Sequence, residues 1–331
     1  MVLPLWFQAV LEAQGLWFRL AALEGLARKK GGPSVAGPRD ATVQIATIYD
    51  PTTGELTLAR WREGRVWPIR NAVKEEHWLY RADLGTVLAR PEGLRAAMEA
   101  LEGVGEPALD PEAVRFAPLI PRAGKVVCIG QNYWDHCREQ NVKPPDRPIL
   151  FAKLPNAYNA HRGPVPVPPG CQQLDYEAEL AVVIGKTADR VSEAEALGCV
   201  AGYSLANDFT ARDFQFGDRQ WLRGKSQNGF GPVGPVLVTR DEVPDPQNLA
   251  IRCWVNGQLV QDSNTREMIF SVAQIIAFVS QGIRLEPGDI LLTGTPHGVG
   301  IFRHPPLLLH PGDTVRVGIA DWPELVNVVA P

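Results

Sequence analysis

The segment LDYEAELAVVIGK, residues 174–186, constrains this chain most. In a β-strand side chains alternate between faces, so residues i and i+2 lie on one side, about 7 Å apart along the backbone. Glu177 and Glu179 therefore share a face with Ala181 and Val183, while Ala178, Leu180, Val182 and Ile184 form a wholly apolar opposite face. A strand this apolar reads as buried, and two like charges on one buried face repel. The pair has two readings. It is either the solvated face of an exposed strand or half of a cation site. With no Cys or His pair nearby, the carboxylate oxygens suit a hard ion: Mg²⁺, Mn²⁺ or Ca²⁺.

The 331 residues suffice for one large domain or two ordinary ones. A net charge of −4 gives no electrostatic case for nucleic acid, and no apolar run is long enough to span a bilayer. Five cysteines, an odd number without CxxC spacing, point to a reducing compartment: cytoplasm, or the mitochondrial matrix in a eukaryote. Residues 1–30 read as an appended amphipathic helix ending in a basic cluster, and 31–40 as a flexible linker. Glu12 and Glu24 count against a transit peptide.

Residues 41–70 read as a hairpin about a turn at Pro51–Gly54. Pro91 opens a short helix that Gly103 closes. From Lys125 strands dominate: KVVCIG, ILFAK, EAELAVVIG, CVAGYSLAND, PVLVT, LAIRCWVNGQLVQ and DILLTG. Asp135–Asn141 forms a short helix. Ser192 with Glu195, and Ser271 with Gln274, are capping-box pairs that start two more. Asn256-Gly257 signals a two-residue hairpin. The expected fold is strand-rich α+β. Residues 1–40 are the helix and linker, 41–117 a small N-terminal domain, and 118–331 a larger, strand-rich domain.

Asp208, 29 residues after Glu179, is the natural third ligand, because a strand, a short helix and a returning strand fill that gap. It equally suits a helix N-cap before TARDF. His136 and Glu139 at i, i+3 share a helix face. A histidine oriented by a carboxylate can act as a general base near neutral pH; an idle surface pair is the alternative. Lys225 stands in LRGKSQNG. GDILLTGTPHGVG, residues 288–300, is glycine-rich but lacks the lysine of a nucleotide loop, although Thr295 and its flanking amides could grip a carboxylate.

Together KVVCIGQNYWDHCREQN, LDYEAELAVVIGK, NDFTARDFQ, the Gly224–Ser226 stretch, VNGQLVQ with MIFS, and GDILLTGTPHGVG resemble the fumarylacetoacetate hydrolase superfamily, from about Pro118 to the C-terminus. DHCREQNV, QWLRGK and GVGIFRHPP are most similar to its domain-containing protein 2 branch. The resemblance implies a mixed β-roll or β-sandwich catalytic fold, a homodimer, and Mg²⁺ or Mn²⁺ held by Glu177, Glu179 and Asp208. It further implies a His136–Glu139 dyad on a mobile lid, Lys225 beside the substrate, and Gln215 and Thr295 as substrate contacts. Three positions depart from the family pattern. Gln131 stands where an Arg often follows Gly130, and Gln227 and Asn228 replace an aromatic and an acid. The implied substrate is a 2-oxo acid with an acidic C3, and the implied reaction is oxaloacetate keto–enol tautomerisation. Acylpyruvate C–C hydrolysis and oxaloacetate decarboxylation are the alternatives, with a non-catalytic ion-stabilised binding protein behind them.

Overall fold

The computed structural model describes residues 43–331, so the expected N-terminal helix and linker lie outside the described residues. The described residues form one compact unit. Its backbone is a mixed sheet whose strands run, edge to edge, Arg65–Pro68, Leu56–Arg62, Gln44–Tyr49, Gly231–Thr239, Val200–Asn207, Ala178–Ile184, Ile290–Leu292, Val126–Gly130 and Ile149–Lys153. Neighbours along this path are antiparallel except Ile290–Leu292 and Val126–Gly130, which are parallel. A five-stranded sheet of Gln258–Asn264, Ala250–Val255, Thr314–Ile319, Leu325–Ala330 and Pro164–Pro166 packs beside it. This is the strand-rich α+β arrangement expected.

The Glu-x-Glu strand lies inside the large sheet, hydrogen-bonded on both edges, and all seven residues from Ala178 to Ile184 are buried. Its two faces part as alternation requires. Ala178, Leu180, Val182 and Ile184 join a core with Ile251, Cys253, Val315, Val317 and Ile319 of the second sheet. Ala181 and Val183 join another, with Leu84, Val87, Ala97 and Leu101 of the helices Leu84–Leu88 and Gly93–Glu102. Apolar layers thus cover both faces, which explains why the strand reads as continuously apolar after Glu179.

Segment 41–117 is joined to the large sheet through Gln44–Tyr49, which pairs Gln44 with Val238 and Ile45 with Leu237. The expected hairpin continues into a third strand, Arg65–Pro68. The helix expected from Pro91 begins at Gly93, after Glu92 turns the chain through φ +57°. Both capping boxes form, at Ser192/Glu195 and Ser271/Gln274. Asn256 and Gly257 take φ +50° and +83°, as a tight hairpin turn needs. The five cysteines are all free. Among the described residues, no helix is long and apolar enough to cross a membrane.

Truncating the fully buried Leu180 to Ala should cost about 2–5 kcal/mol, measured as a lowered urea-unfolding midpoint. Val328→Ala, at a half-exposed position, should stay within about 0.5 kcal/mol of the parent.

Candidate active site

At the head of the Glu-x-Glu strand the apolar layers give way to buried charge. Glu177, Glu179 and Asp208 are at most 5% exposed, and one oxygen from each lies within 4.8 Å of the others. Strand pairing places them. Ala178 faces Asn207, and the Asp208 N–H donates to the Glu177 carbonyl (2.9 Å), which brings the third acid beside the first. The Asn207 side chain accepts from the Glu177 N–H (2.9 Å). Asp208 caps no helix: the following helix, Arg212–Gly217, starts after Ala211.

Three buried cations answer these acids unequally. Lys225 Nζ donates to Glu177 Oε2 and Asp208 Oδ2, both at 2.7 Å. Lys153 Nζ stands 2.5 Å from Asp208 Oδ1 and also donates to the Lys225 carbonyl. Arg212 reaches Glu177 Oε1 (2.7 Å), Asp175 Oδ2 (2.9 Å) and Gln215 Oε1 (2.9 Å). Asp175 in turn accepts from the Gly300 and Ile301 amides. Glu179 has a different lot. Among the described residues its carboxylate accepts one hydrogen bond, from the Gly294 N–H (2.6 Å). Gly294 has φ +95°, and a Cβ there would stand 2.8 Å from that of Asn132, so only glycine allows this approach.

The ionisation balance follows. Burial alone would raise Glu177, but Lys225 and Arg212 hold it down at about 2. Burial, then Asp208 and Glu177, push Glu179 well above the carboxylate range. Burial opposes the charge on Lys225, yet Asp208 and Glu177 outweigh it and raise its pKa. Four acids, counting Asp175, face three bases, and Glu179 is the one without its own cation. A hard divalent ion among Glu177, Glu179 and Asp208 would supply that missing charge through the oxygen donors it prefers, so the residues fit one.

The same cavity, about 50 Å³, is lined by His136, Gln131, Gln140, Gln215, Lys225 and Thr295 together with Glu177, Glu179 and Arg212. Phe151, Phe216, Trp221 and Phe302 complete its walls. His136 lies on the helix Trp134–Gln140, 6% exposed, with Nδ1 3.0 Å from Glu139 Oε2. Glu139 Oε1 accepts from the Gly298 N–H (2.8 Å). The Thr295 hydroxyl accepts from Gln261 Nε2 (2.9 Å), which leaves its own O–H to donate. The buried Gln261 also accepts from the Ala178 N–H, tying this turn to the Glu-x-Glu strand.

All eight residues singled out from the sequence thus converge. Lys153, Asp175, Arg212 and Gln261 were not singled out. Asp175 continues the Glu177/Glu179 alternation backward by two, and Arg212 lies within the same NDFTARDFQ run as Asp208 and Gln215, so both were signalled. Lys153 closes an apolar strand, and its partner lies 55 positions away, a pairing that spacing does not reveal.

With this geometry in view, likeness to known proteins is specific. The family model for the fumarylacetoacetate (FAA) hydrolase C-terminal region matches residues 125–330. The chain is 48% identical over 225 residues to oxaloacetate tautomerase FAHD2B, mitochondrial, of Bos taurus, covering 67% of this chain and 72% of that protein. It is 46% identical over the same length, with the same coverage, to oxaloacetate tautomerase FAHD2A, mitochondrial, of Homo sapiens. The solved fumarylacetoacetate hydrolase of Exiguobacterium antarcticum superposes with a TM-score of 0.74 at 34% identity, over 87% of this chain and 99% of that one. The chain belongs to the fumarylacetoacetate hydrolase family.

A divalent cation should raise the melting temperature of the parent, and Glu179→Gln should abolish that rise, read by differential scanning fluorimetry. The sign for the metal-free protein follows from the raised pKa. A carboxyl raised in the fold gives stability that is complete below its unfolded pKa and is lost as pH climbs towards the folded one. Glu179→Gln should therefore flatten the fall in metal-free stability above about pH 4.5.

Proposed function

We propose that this member of the fumarylacetoacetate hydrolase family is a divalent-metal-dependent enzyme that enolises a 2-oxo acid, and that its reaction is the keto–enol tautomerisation of oxaloacetate. The observation that carries the reading is the pairing of an under-compensated acid triad with a carboxylate-oriented histidine in one small cavity. Glu177, Glu179 and Asp208 would hold Mg²⁺ or Mn²⁺, which when bound supplies Lewis-acid polarisation of a 2-oxo carbonyl.

The chain's own residues supply the rest. Glu139 accepts from Nδ1–H of His136 and fixes that tautomer, which leaves Nε2 to take a proton from C3 or return it. The Gly298 N–H holds Glu139 in turn, so the base is oriented from two directions. Lys225, fixed by Glu177 and Asp208, places positive charge where negative charge grows on the substrate. Thr295 and Gln215 offer a hydroxyl and an amide to the substrate's oxygens. Phe151, Trp221 and Phe302 line the cavity beside these groups.

Likeness to a fumarylacetoacetate hydrolase supports one second reading, C–C hydrolysis of an acylpyruvate. The homodimer belongs to the proposal as well; sedimentation at the mass of two chains checks it.

Pure protein with Mg²⁺ should speed the decay of the ultraviolet band of enol-oxaloacetate over buffer. No acceleration would sink the tautomerase reading, and pyruvate release from acetylpyruvate would put hydrolysis in its place. His136→Ala should lower turnover about 10²–10⁴-fold while Mn²⁺ binding, followed by calorimetry, stays intact. Unchanged turnover would remove the dyad.

A further inference from the structure

The His136 helix is fastened to the turn 295–298 by two carboxylates one helical turn apart. Glu139 holds the Gly298 N–H. Asp135, at i−4 from it, faces His297: Oδ2 lies 3.0 Å from Nδ1, and Oδ1 accepts from the His297 N–H at 3.3 Å. Ser263 of the second sheet donates to the same Oδ2 at 2.5 Å. The pair is asymmetric. The Asp135 side chain is 11% exposed and that of His297 47%, so the imidazole exchanges protons with solvent while its partner stays mostly covered.

We propose that Asp135 and His297 form a pH-sensitive latch that positions His136, held while the imidazole is protonated and weakened when it is not. The inference rests on the reading of His136 as the base; His297 is then a positioning residue, acting through the helix.

The surrounding charges favour the protonated state. Asp135 and Glu139 of the helix both stabilise the imidazolium, and Arg138 opposes it. Arg138 itself is paired with Glu267 at 2.8 Å. From the second sheet comes the uncharged Ser263, while its neighbour Asp262 is engaged by Arg252. Arg303 donates to the Val260 and Gly298 carbonyls. The hydrogen bond to Asp135 thus holds His297 above the usual histidine range. Asp135, which burial alone would raise, is held below the carboxylate range by His297 and Ser263.

The sign follows. A histidine raised in the fold contributes fully below its unfolded pKa, and the contribution fades as pH rises through the folded value. The latch is therefore closed from above the lowered Asp135 pKa up to the raised His297 pKa, and weakens beyond it. Neutral imidazole still donates through Nδ1, so the charge assistance goes but the bond stays.

Hydrogen–deuterium exchange of the intact enzyme without substrate reads this directly. Corrected for intrinsic exchange, amides of residues 134–141 should lose about five- to tenfold of their protection between pH 6 and pH 9, the difference between charged and neutral hydrogen bonds. His297→Gln keeps an N–H donor but cannot be charged, so its protection should be flat across that range. In parallel, the parent's alkaline decline in kcat should shrink in His297→Gln. PH-independent protection in the parent, or the same slope in His297→Gln, would overturn the latch. Should the variant misfold, the imidazole resonance of His297 in the parent decides: titration at or below 6.5 rejects the proposal, and titration above it supports it. Exchange is read without turnover, so an active His136→Ala would remove the dyad while the latch is judged on its own.

Discussion

A cluster of seven buried ionisable groups organises this protein. Asp175, Glu177, Glu179 and Asp208 lie against Lys153, Lys225 and Arg212, all at most 5% exposed. Burying even one ion alone is prohibitive, and removing one partner of a buried pair typically costs about 3–5 kcal/mol. Each charge therefore fixes the position of the next. Lys225 can bridge Glu177 and Asp208 only if the strands Ala178–Ile184 and Val200–Asn207 keep their register. Slipping that register by one residue would turn Glu179 to the apolar side. The electrostatics of the site and the register of the central sheet are one constraint.

The apolar layers on either side of the central strand make that constraint costly. They exclude water from the head of the strand, and so raise the interaction of every charge there. They also explain why the charge is left slightly unbalanced. A fourth protein cation beside Glu179 would neutralise the cluster but fill the space a divalent ion needs. The Gly294 amide, a neutral donor, stabilises Glu179 without occupying that space.

Much of this could be read in the sequence because the decisive signals are local. Alternation through 177–184 gave both faces of the central strand, and the i, i+3 spacing of His136 and Glu139 placed them on one side of one helix turn. Capping boxes and Asn256-Gly257 marked element boundaries through side chains adjacent to the backbone they serve. The rest depends on partners distant in sequence. Lys153 looks like the polar end of an apolar strand until Asp208 is beside it. The strands Thr314–Ile319 and Leu325–Ala330 went unread, and so did the second sheet as a layer. Their partners Ala250–Val255 and Pro164–Pro166 both lie far back along the chain, and that pairing leaves no local mark.

The turn 293–298 joins the two halves of the site. Gly294 holds the acid most in need of a cation, Thr295 lines the cavity, and His297 and Gly298 hold the helix of the base. Only three residues separate the Gly294 amide on Glu179 from the Gly298 amide on Glu139. Asn132 supports the turn from below, donating to the Thr293 and Phe270 carbonyls and accepting from the Phe270 N–H. The distance between electrophile and base is thus set within one short, glycine-bearing segment instead of across two domains. In the proposed reaction a proton at C3 of the substrate meets His136 within hydrogen-bond reach while the carbonyl faces the acids, and misplacement by 1 Å can cost about 10²-fold in rate. Holding both groups from one backbone turn is the shortest route to that tolerance, and it accounts for a glycine-rich sequence here that lacks the lysine of a nucleotide loop.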